Sequence, residues 1–332
     1  MNILITGSNG FLGKNLKFFL KEKKKFKIIE HTKKDSITSL KKKLRKVDFI
    51  LHFAGENISK NKNDFKKNNV NLVKIICQSL EKFKLKTPVI FSSSIQVKKN
   101  NNYGVSKKKC EDILIKFKNK NNSIINILRL PNVFGKWSKP NYNSAVATFC
   151  FNLSRNIEIK VNRYSAKINL LYIDDLILQI YQLIKFPVNK TFPNIKSIKV
   201  TTLQNLVKNI NLIKDKRETS EISHLKNNFI KNLYSTYISF LPLKAFQYNL
   251  IKKEDKRGEF LEFAKFKQLG QISYFTINPK EERGHHYHHS KVEKFLLLTG
   301  KVKCYFKNIN NNIIYSFETS EKDNRIFESI PG

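Results

Sequence analysis

Apolar and polar positions along this 332-residue chain change period several times, and those changes mark out its elements. At the N-terminus the apolar run Ile3-Leu4-Ile5 gives way to the amphipathic Asn15-Leu16-Lys17-Phe18-Phe19-Leu20, which predicts a buried strand followed by a surface helix. Phe26-Lys27-Ile28-Ile29-Glu30-His31 predicts a second strand. Val47 to Gly55 and Pro88 to Ser94 predict two more, each apolar along most of its length, as in a parallel sheet buried on both faces, and ending in small or hydroxyl residues. Helical patterns separate these runs. Strands alternating with helices predict an α/β domain with a doubly wound parallel sheet, its ligands at the carboxyl ends of the strands. Later the pattern shortens: Gln271 to Ile277 and Val302 to Phe306 alternate in the two-residue period and predict a small antiparallel β-barrel. The length and 40% hydrophobic content support two cores, placed at 1–245 and 246–332.

The junction between the first strand and the first helix carries three glycines, Gly7, Gly10 and Gly13. In a Rossmann-like fold this spacing cradles a dinucleotide pyrophosphate. The first glycine makes the turn, the second lets backbone approach phosphate, and the third lets the helix pack closely on the sheet. Gly7, Asn9, Gly10, Phe11, Leu12 and Gly13 are therefore candidate cofactor contacts, joined by Ala54 and Gly55 at the third strand end, where a packing glycine is the alternative. At the second strand end Glu30 is followed by His31, Thr32, Lys33 and Lys34, with no acid clearly placed for a free ribose hydroxyl. The cations favour a ribose phosphate and hence NADPH, with Thr32 and Lys33 as contacts. Glu30 shifted by one residue would instead favour NAD.

Ser94 ends one predicted strand, and Tyr103-Gly104-Val105-Ser106-Lys107 opens a helical stretch. Tyr103 and Lys107 share a face at four-residue spacing. An ordinary tyrosine titrates near pH 10, so a neighbouring ammonium and an oxidised nicotinamide are expected to bring Tyr103 toward the working pH, with Ser94 hydrogen-bonding a carbonyl.

Composition narrows the classes. The formal charge of +37 comes almost wholly from lysine spread along the chain, with arginine only at scattered positions such as Arg45, Arg129 and Arg283. That pattern describes solvated faces and no nucleic-acid partner, while helping to attract an anionic substrate. The four cysteines, Cys77, Cys110, Cys150 and Cys304, have no paired spacing, which fits a reducing cytoplasm. No run approaches a membrane span, and no charged leader precedes the first strand.

In TGSNGFLG (6–13), FAG (53–55), FSSS (91–94), YGVSK (103–107) and LRLPNVFG (128–135), the chain resembles the extended short-chain dehydrogenase/reductase family. The resemblance implies that Ser94, Tyr103 and Lys107 are catalytic, that Asn69 is the family's helix asparagine near the site, and that the substrate is a nucleotide-linked sugar. Dehydratases of that family follow the serine with an Asp-Glu pair. This chain has Ile95-Gln96, and its link from Ser94 to Tyr103 is short.

Near the other end stands Arg283-Gly284-His285-His286-Tyr287-His288-His289-Ser290-Lys291-Val292-Glu293. Two histidines one residue apart point the same way from a strand, and Glu293 can complete one side of a metal site; a solvated histidine loop is the alternative. His286, His288, Glu293 and Gly300 match the first cupin motif. A reductase joined to a C-terminal cupin resembles the bifunctional reductase/epimerases of capsule and O-antigen synthesis on the UDP-N-acetyl-L-fucosamine pathway. SSSIQ (92–96), PNYNSAVATFC (140–150), YIDD (172–175) and LYSTYISFLP (233–242) extend that likeness over nearly the whole chain. It implies reduction at C4 of a UDP-linked 4-keto-6-deoxy-N-acetylhexosamine with NADPH, C3 epimerisation by a zinc cupin, and a homodimer. Asn132, Asn143 and Arg163 are positioned to line the sugar-nucleotide site. The chain stops at Ile330-Pro331-Gly332, where a second cupin motif would begin, so weak metal affinity, local disorder or pairing with another chain is expected. A nucleotide-sugar epimerase that retains NAD and a non-catalytic dinucleotide-binding scaffold are the rival expectations.

Overall fold

The computed structural model describes residues 1–58, 65–222, 227–266 and 269–329. The expected second cupin motif at Ile330-Pro331-Gly332 lies outside them. Five strands, β1 (Asn2–Thr6), β2 (Lys27–His31), β3 (Phe49–His52), β4 (Val89–Ser94) and β5 (Ile125–Leu130), form one sheet in the order β2-β1-β3-β4-β5. All its pairings are parallel, with Ile3 opposite Ile28 and Phe49, and Ser93 opposite Arg129.

Alternation of side chains along these strands splits the core in two. Ile3, Ile5, Phe49, Leu51, Ile90, Leu128 and Leu130 face one side, where Leu16 and Leu20 of α1 (Phe11–Glu22) and Ile173, Leu176 and Ile180 of α6 (Ile173–Lys185) join them. Leu4, Ile50, Val89, Phe91, Ile125 and Ile127 face the other. There they meet the buried stripes of α2 (Ile37–Leu44), α3 (Asn71–Lys82) and α4 (Asn102–Asn121). The continuous apolar runs of the sequence are thus strands covered on both faces, the arrangement a doubly wound sheet requires.

A second sheet, β6 (Asn132–Phe134), β7 (Lys167–Tyr172) and β8 (Lys199–Thr202), pairs β6 with β7 in parallel and β7 with β8 antiparallel. Helices α5 (Ala145–Leu153), α7 (Leu203–Arg217) and α8 (Asn228–Ile238) supply Phe149, Cys150, Leu206, Ile210 and Leu233 to the first core.

The chain divides into two compact units, 1–250 with 262–272, and 251–261 with 273–332. The second contains β9 (Lys252–Asp255), antiparallel to the first four residues of β10 (Gly258–Phe266), whose remainder belongs to the first unit, and the antiparallel pairs β12 (Glu293–Leu296) with β15 (Ile326–Ser329) and β13 (Lys301–Lys307) with β14 (Ile314–Ser320). β11 (Gly270–Phe275) completes the β9-β10 sheet. Its apolar centre is aromatic: Phe295 stacks on Phe327 at 5.1 Å, and Phe317 meets Phe327 edge-on at 5.3 Å. Among the described residues no helix is long and apolar enough to cross a membrane.

Helix α4 has a sharply defined start. The Asn101 side chain accepts a 2.7 Å hydrogen bond from the Gly104 amide, satisfying one of the free donors of the first turn. Replacing Asn101 by alanine is expected to cost about 1 kcal/mol in urea unfolding. An unchanged midpoint would show that the cap contributes nothing.

Candidate active site

The carboxyl ends of β1, β3 and β4 converge where the glycine loop begins. Gly7 turns with φ +70° and donates its amide to the His31 carbonyl at 2.9 Å. A Cβ on Gly7 would lie 2.7 Å from the Ala54 amide nitrogen, so loop and third strand end are in direct backbone contact. A Cβ on Gly13 would collide with the Gly7 carbonyl, which explains why α1 needs a glycine to seat against the loop. At Gly10, by contrast, only the Gly7 carbonyl lies near, at 3.1 Å. Asn9 and Gly10 are exposed, while Phe11 and Leu12 are half-buried against the core. The residues present fit a dinucleotide: close-packed glycines on the protein side and open backbone at the helix start.

At the second strand end the candidate contacts Thr32 and Lys33 are engaged within the protein. Lys33 is paired with Glu56 at 2.7 Å, although its side chain is 83% exposed, and the Thr32 amide and hydroxyl both donate to Asp35. Glu30 is held by Lys17 at 3.0 Å and also feels Ser8 of the glycine loop, which with Lys17 keeps its carboxyl below the ordinary range. Lys43 pairs with Asp35 at 2.7 Å and, with the Thr32 donors, holds that carboxyl well below its ordinary range. Asp35 and Glu56 were not singled out from the sequence; the partners of Asp35 are local, Thr32 and Lys43, whereas Lys33 reaches Glu56 from a separate segment.

Ser94, Tyr103 and Lys107 come together as the sequence predicts. The Ser94 hydroxyl accepts from the Gln96 amide at 3.1 Å, capping a single turn of 3-10 helix at Ile95–Lys98, and it lies near enough to Tyr103 to favour the phenolate. That one turn is how so short a link reaches α4. Lys107 is fully buried, donates to the Ser92 carbonyl at 2.7 Å and lies 4.8 Å over the Phe91 ring and 5.8 Å from the Tyr103 ring centre. A Cβ on Gly55 would stand 3.5 Å from the Lys107 nitrogen, which brings that strand end to the same place. Asn69 bridges the two sides: its side chain accepts from the Glu56 amide at 2.8 Å and donates to the Ser106 hydroxyl at 3.2 Å.

In the protein alone Tyr103 is not brought toward neutrality, since burial pushes its hydroxyl up to about 12 against the opposing Ser94 hydroxyl. Lys107 is pushed the other way, to about 8, again by burial. In both groups the cause is burial, which favours the neutral phenol and the neutral amine, while the Lys107 nitrogen itself is bonded to the Ser92 carbonyl.

The metal candidates also assemble, from a loop and not from the strand expected. His286 and His288 precede β12, which Glu293 opens, and the ligand atoms of the three lie within 4.8 Å of one another. His286 Nδ1 is 3.0 Å from the Gly284 carbonyl, which leaves Nε2 facing away from that bond. His288 Nε2 is buried without a hydrogen-bond partner among the described residues and lies 3.6 Å from Glu293 Oε2. Two imidazoles and a carboxylate with one orphaned nitrogen fit zinc.

Asn132 donates to the Asn169 carbonyl at 3.4 Å, Asn143 sits at φ +56° just before α5, and Arg163 is exposed. Among the described residues no hydrogen bond or ion pair ties these three together.

Comparisons with known proteins agree with this architecture. Residues 3–195 match the NAD-dependent epimerase/dehydratase family. The chain belongs to that family. Residues 253–332 match the polysaccharide biosynthesis C-terminal domain. A relative from Pseudomonas aeruginosa, named UDP-2-acetamido-2,6-beta-L-arabino-hexul-4-ose reductase, is 37% identical over all of this chain and 90% of its own length. The crystal structure of the capsular polysaccharide assembling protein CapF from Staphylococcus aureus superposes with a TM-score of 0.91 at 36% identity, covering all of this chain and 90% of that one. UDP-glucuronic acid 4-epimerase from Bacillus cereus, at 17% identity and TM-score 0.63 over 72% of this chain, shares the fold.

Beside the site His52, at the end of β3, was not singled out from the sequence. Thr6 Oγ1 accepts from the Ala54 amide at 3.3 Å and lies 2.6 Å from His52 Nδ1, and burial favours the neutral imidazole. Burial lowers its pKa from 6.5 to about 3. The unfolded chain therefore takes up this proton first, and His52 contributes stability at neutrality that is lost as pH falls from 6.5 toward 3. His52→Leu should show a shallower loss of unfolding free energy across that window than the wild type; identical slopes would contradict a neutral buried imidazole.

Proposed function

We propose that this protein reduces the C4 ketone of a UDP-linked 4-keto-6-deoxy-N-acetylhexosamine with NADPH, in the synthesis of a capsule or O-antigen sugar. One observation carries the reading: the Tyr103 phenol lies close enough to Ser94 to feel its hydroxyl, with the buried Lys107 ammonium 5.8 Å from the Tyr103 ring centre and beside the strand end that meets the glycine loop. The name of the Pseudomonas aeruginosa relative supports the substrate class.

NADPH, when bound, supplies the hydride. Gly7 and Gly13 shape the loop and seat the helix, Gly10 leaves open backbone for a pyrophosphate, and Asn9, Phe11, Leu12, Ala54 and Gly55 are the further residues that would hold the cofactor. Lys33 is the candidate for a ribose phosphate, in exchange for Glu56. Ser94 donates a hydrogen bond to the ketone oxygen and polarises it. Tyr103 then delivers the proton. The high pKa of its phenol suits this direction, because the acid must still hold its proton when a substrate arrives at neutral pH. Lys107 holds the ribose and stabilises the phenolate left after transfer.

Tyr103→Phe keeps the ring and loses the proton. It should bind NADPH within about threefold of wild type while turnover of the 4-keto sugar falls by at least about 100-fold. Unchanged turnover would remove Tyr103 from the mechanism.

The C-terminal unit belongs to the same proposal as a zinc cupin that epimerises C3, with His286, His288 and Glu293 as ligands. Zinc supplies a Lewis acid, next to which a proton on carbon adjacent to a ketone becomes labile. His288→Ala should lose zinc by metal analysis and lose deuterium exchange at C3, leaving C4 reduction in place. Exchange that persists without zinc would refute the ligand set. By the same likeness the working assembly is a homodimer.

A further inference from the structure

The sheet face of α4 carries one carboxylate that the chemistry above does not use. Tyr103, Lys107 and Glu111 follow one another at four-residue spacing, and each meets the end of β4. Tyr103 meets Ser94, Lys107 the Ser92 carbonyl, and Glu111 the Ser93 hydroxyl. Glu111 is 0% exposed. Its Oε1 accepts from Ser93 Oγ at 2.6 Å and from Arg129 Nε at 3.0 Å, and its Oε2 accepts from Arg129 Nη2 at 2.6 Å. Arg129 stands opposite Ser93 in the β4–β5 register, and its guanidinium lies 4.4 Å over the Phe192 ring.

A buried ion pair is a poor device for stability alone, since apolar side chains of equal volume would serve as well or better. What it adds is direction. The bidentate guanidinium fixes the carboxylate plane, and the carboxylate fixes the hydroxyl of the residue immediately before Ser94. Side chains alternate along a strand, so holding Ser93 against α4 sets the pleat from which Ser94 emerges.

We propose that Glu111, held by Arg129, is a positioning residue for the reduction: through Ser93 it clamps the end of β4 to α4 and sets the Ser94 hydroxyl against Tyr103. This rests on the reductase reading above. A misplacement of the order of an ångström in such a pair lowers turnover without weakening binding.

The test compares Ser93→Ala, which leaves the Glu111–Arg129 pair intact for folding, with Ser93→Thr, which restores the hydroxyl, and with Glu111→Gln. Turnover of the UDP-4-keto sugar, NADPH affinity by nicotinamide fluorescence and the thermal midpoint are measured on each full-length protein. In parallel the Cζ resonance of Tyr103 is followed in protein carrying carbon-13 tyrosine, assigned by its absence from Tyr103→Phe. Ser93→Ala and Glu111→Gln should lose about 10- to 100-fold in kcat, with KM and NADPH affinity within about threefold. The Tyr103 resonance should move in Ser93→Ala, and both signals should return in Ser93→Thr. A kcat for Ser93→Ala within about twofold of wild type, or a loss matched by weaker NADPH binding or by unfolding, overturns the clamp. Wild-type protein with no turnover at all removes the reductase reading instead. In that case an unmoved Tyr103 resonance in Ser93→Ala overturns the clamp independently.

Discussion

The seating of helix α4 on the end of strand β4 is the constraint on which the site depends. A Cβ on Gly104 would collide with the Gln96 carbonyl and would stand 2.8 Å from the Lys99 carbonyl, so the helix can enter against the preceding turn only with glycine there. The backbone approach places Lys107 under the Ser92 carbonyl and Glu111 beside Ser93. Leu114 and Phe117, farther along the same helix, are buried in the second core. The helix is therefore anchored by apolar packing at its far end and by polar bonds at the end where chemistry is proposed.

Burial acts on the two central groups in opposite senses. It raises the phenol of Tyr103 and lowers the ammonium of Lys107, because each is driven toward its neutral form. Glu111 opposes this at Lys107, since its charge favours the ammonium. A protein with a formal charge of +37 has few acids to place, and this one places Glu111 with no exposure at all. Most other lysine pairs, such as Lys108 with Asp112 and Lys294 with Glu328, lie at the surface, where their worth is small.

The second unit is organised differently. Its strands are short, antiparallel and half-exposed, and its apolar centre rests on the Phe275, Phe295, Phe317 and Phe327 rings. The candidate metal-binding group of His286, His288 and Glu293 stands at the entrance of β12, where Lys291 also holds Glu293 at 2.6 Å and keeps its carboxyl below the ordinary range. A metal binding there would meet a carboxylate already ionised, as ligation requires.

Much was legible in the residues themselves. Continuous apolar runs, the glycine spacing and the four-residue interval between Tyr103 and Lys107 are local patterns, and local patterns determine which elements form and which residues share a face. The parallel sheet, the glycine loop and the meeting of Ser94, Tyr103 and Lys107 follow from them. Partnerships between distant segments were decided by tertiary structure alone. Lys33 meets Glu56, Glu111 meets Arg129 and Ser93, and His52 meets Thr6 only because strands adjacent in the sheet lie far apart in the chain. The direction of the Tyr103 shift belongs to the same class: the sequence supplied the neighbouring lysine, but burial sets the pKa, and burial is a property of the assembled core.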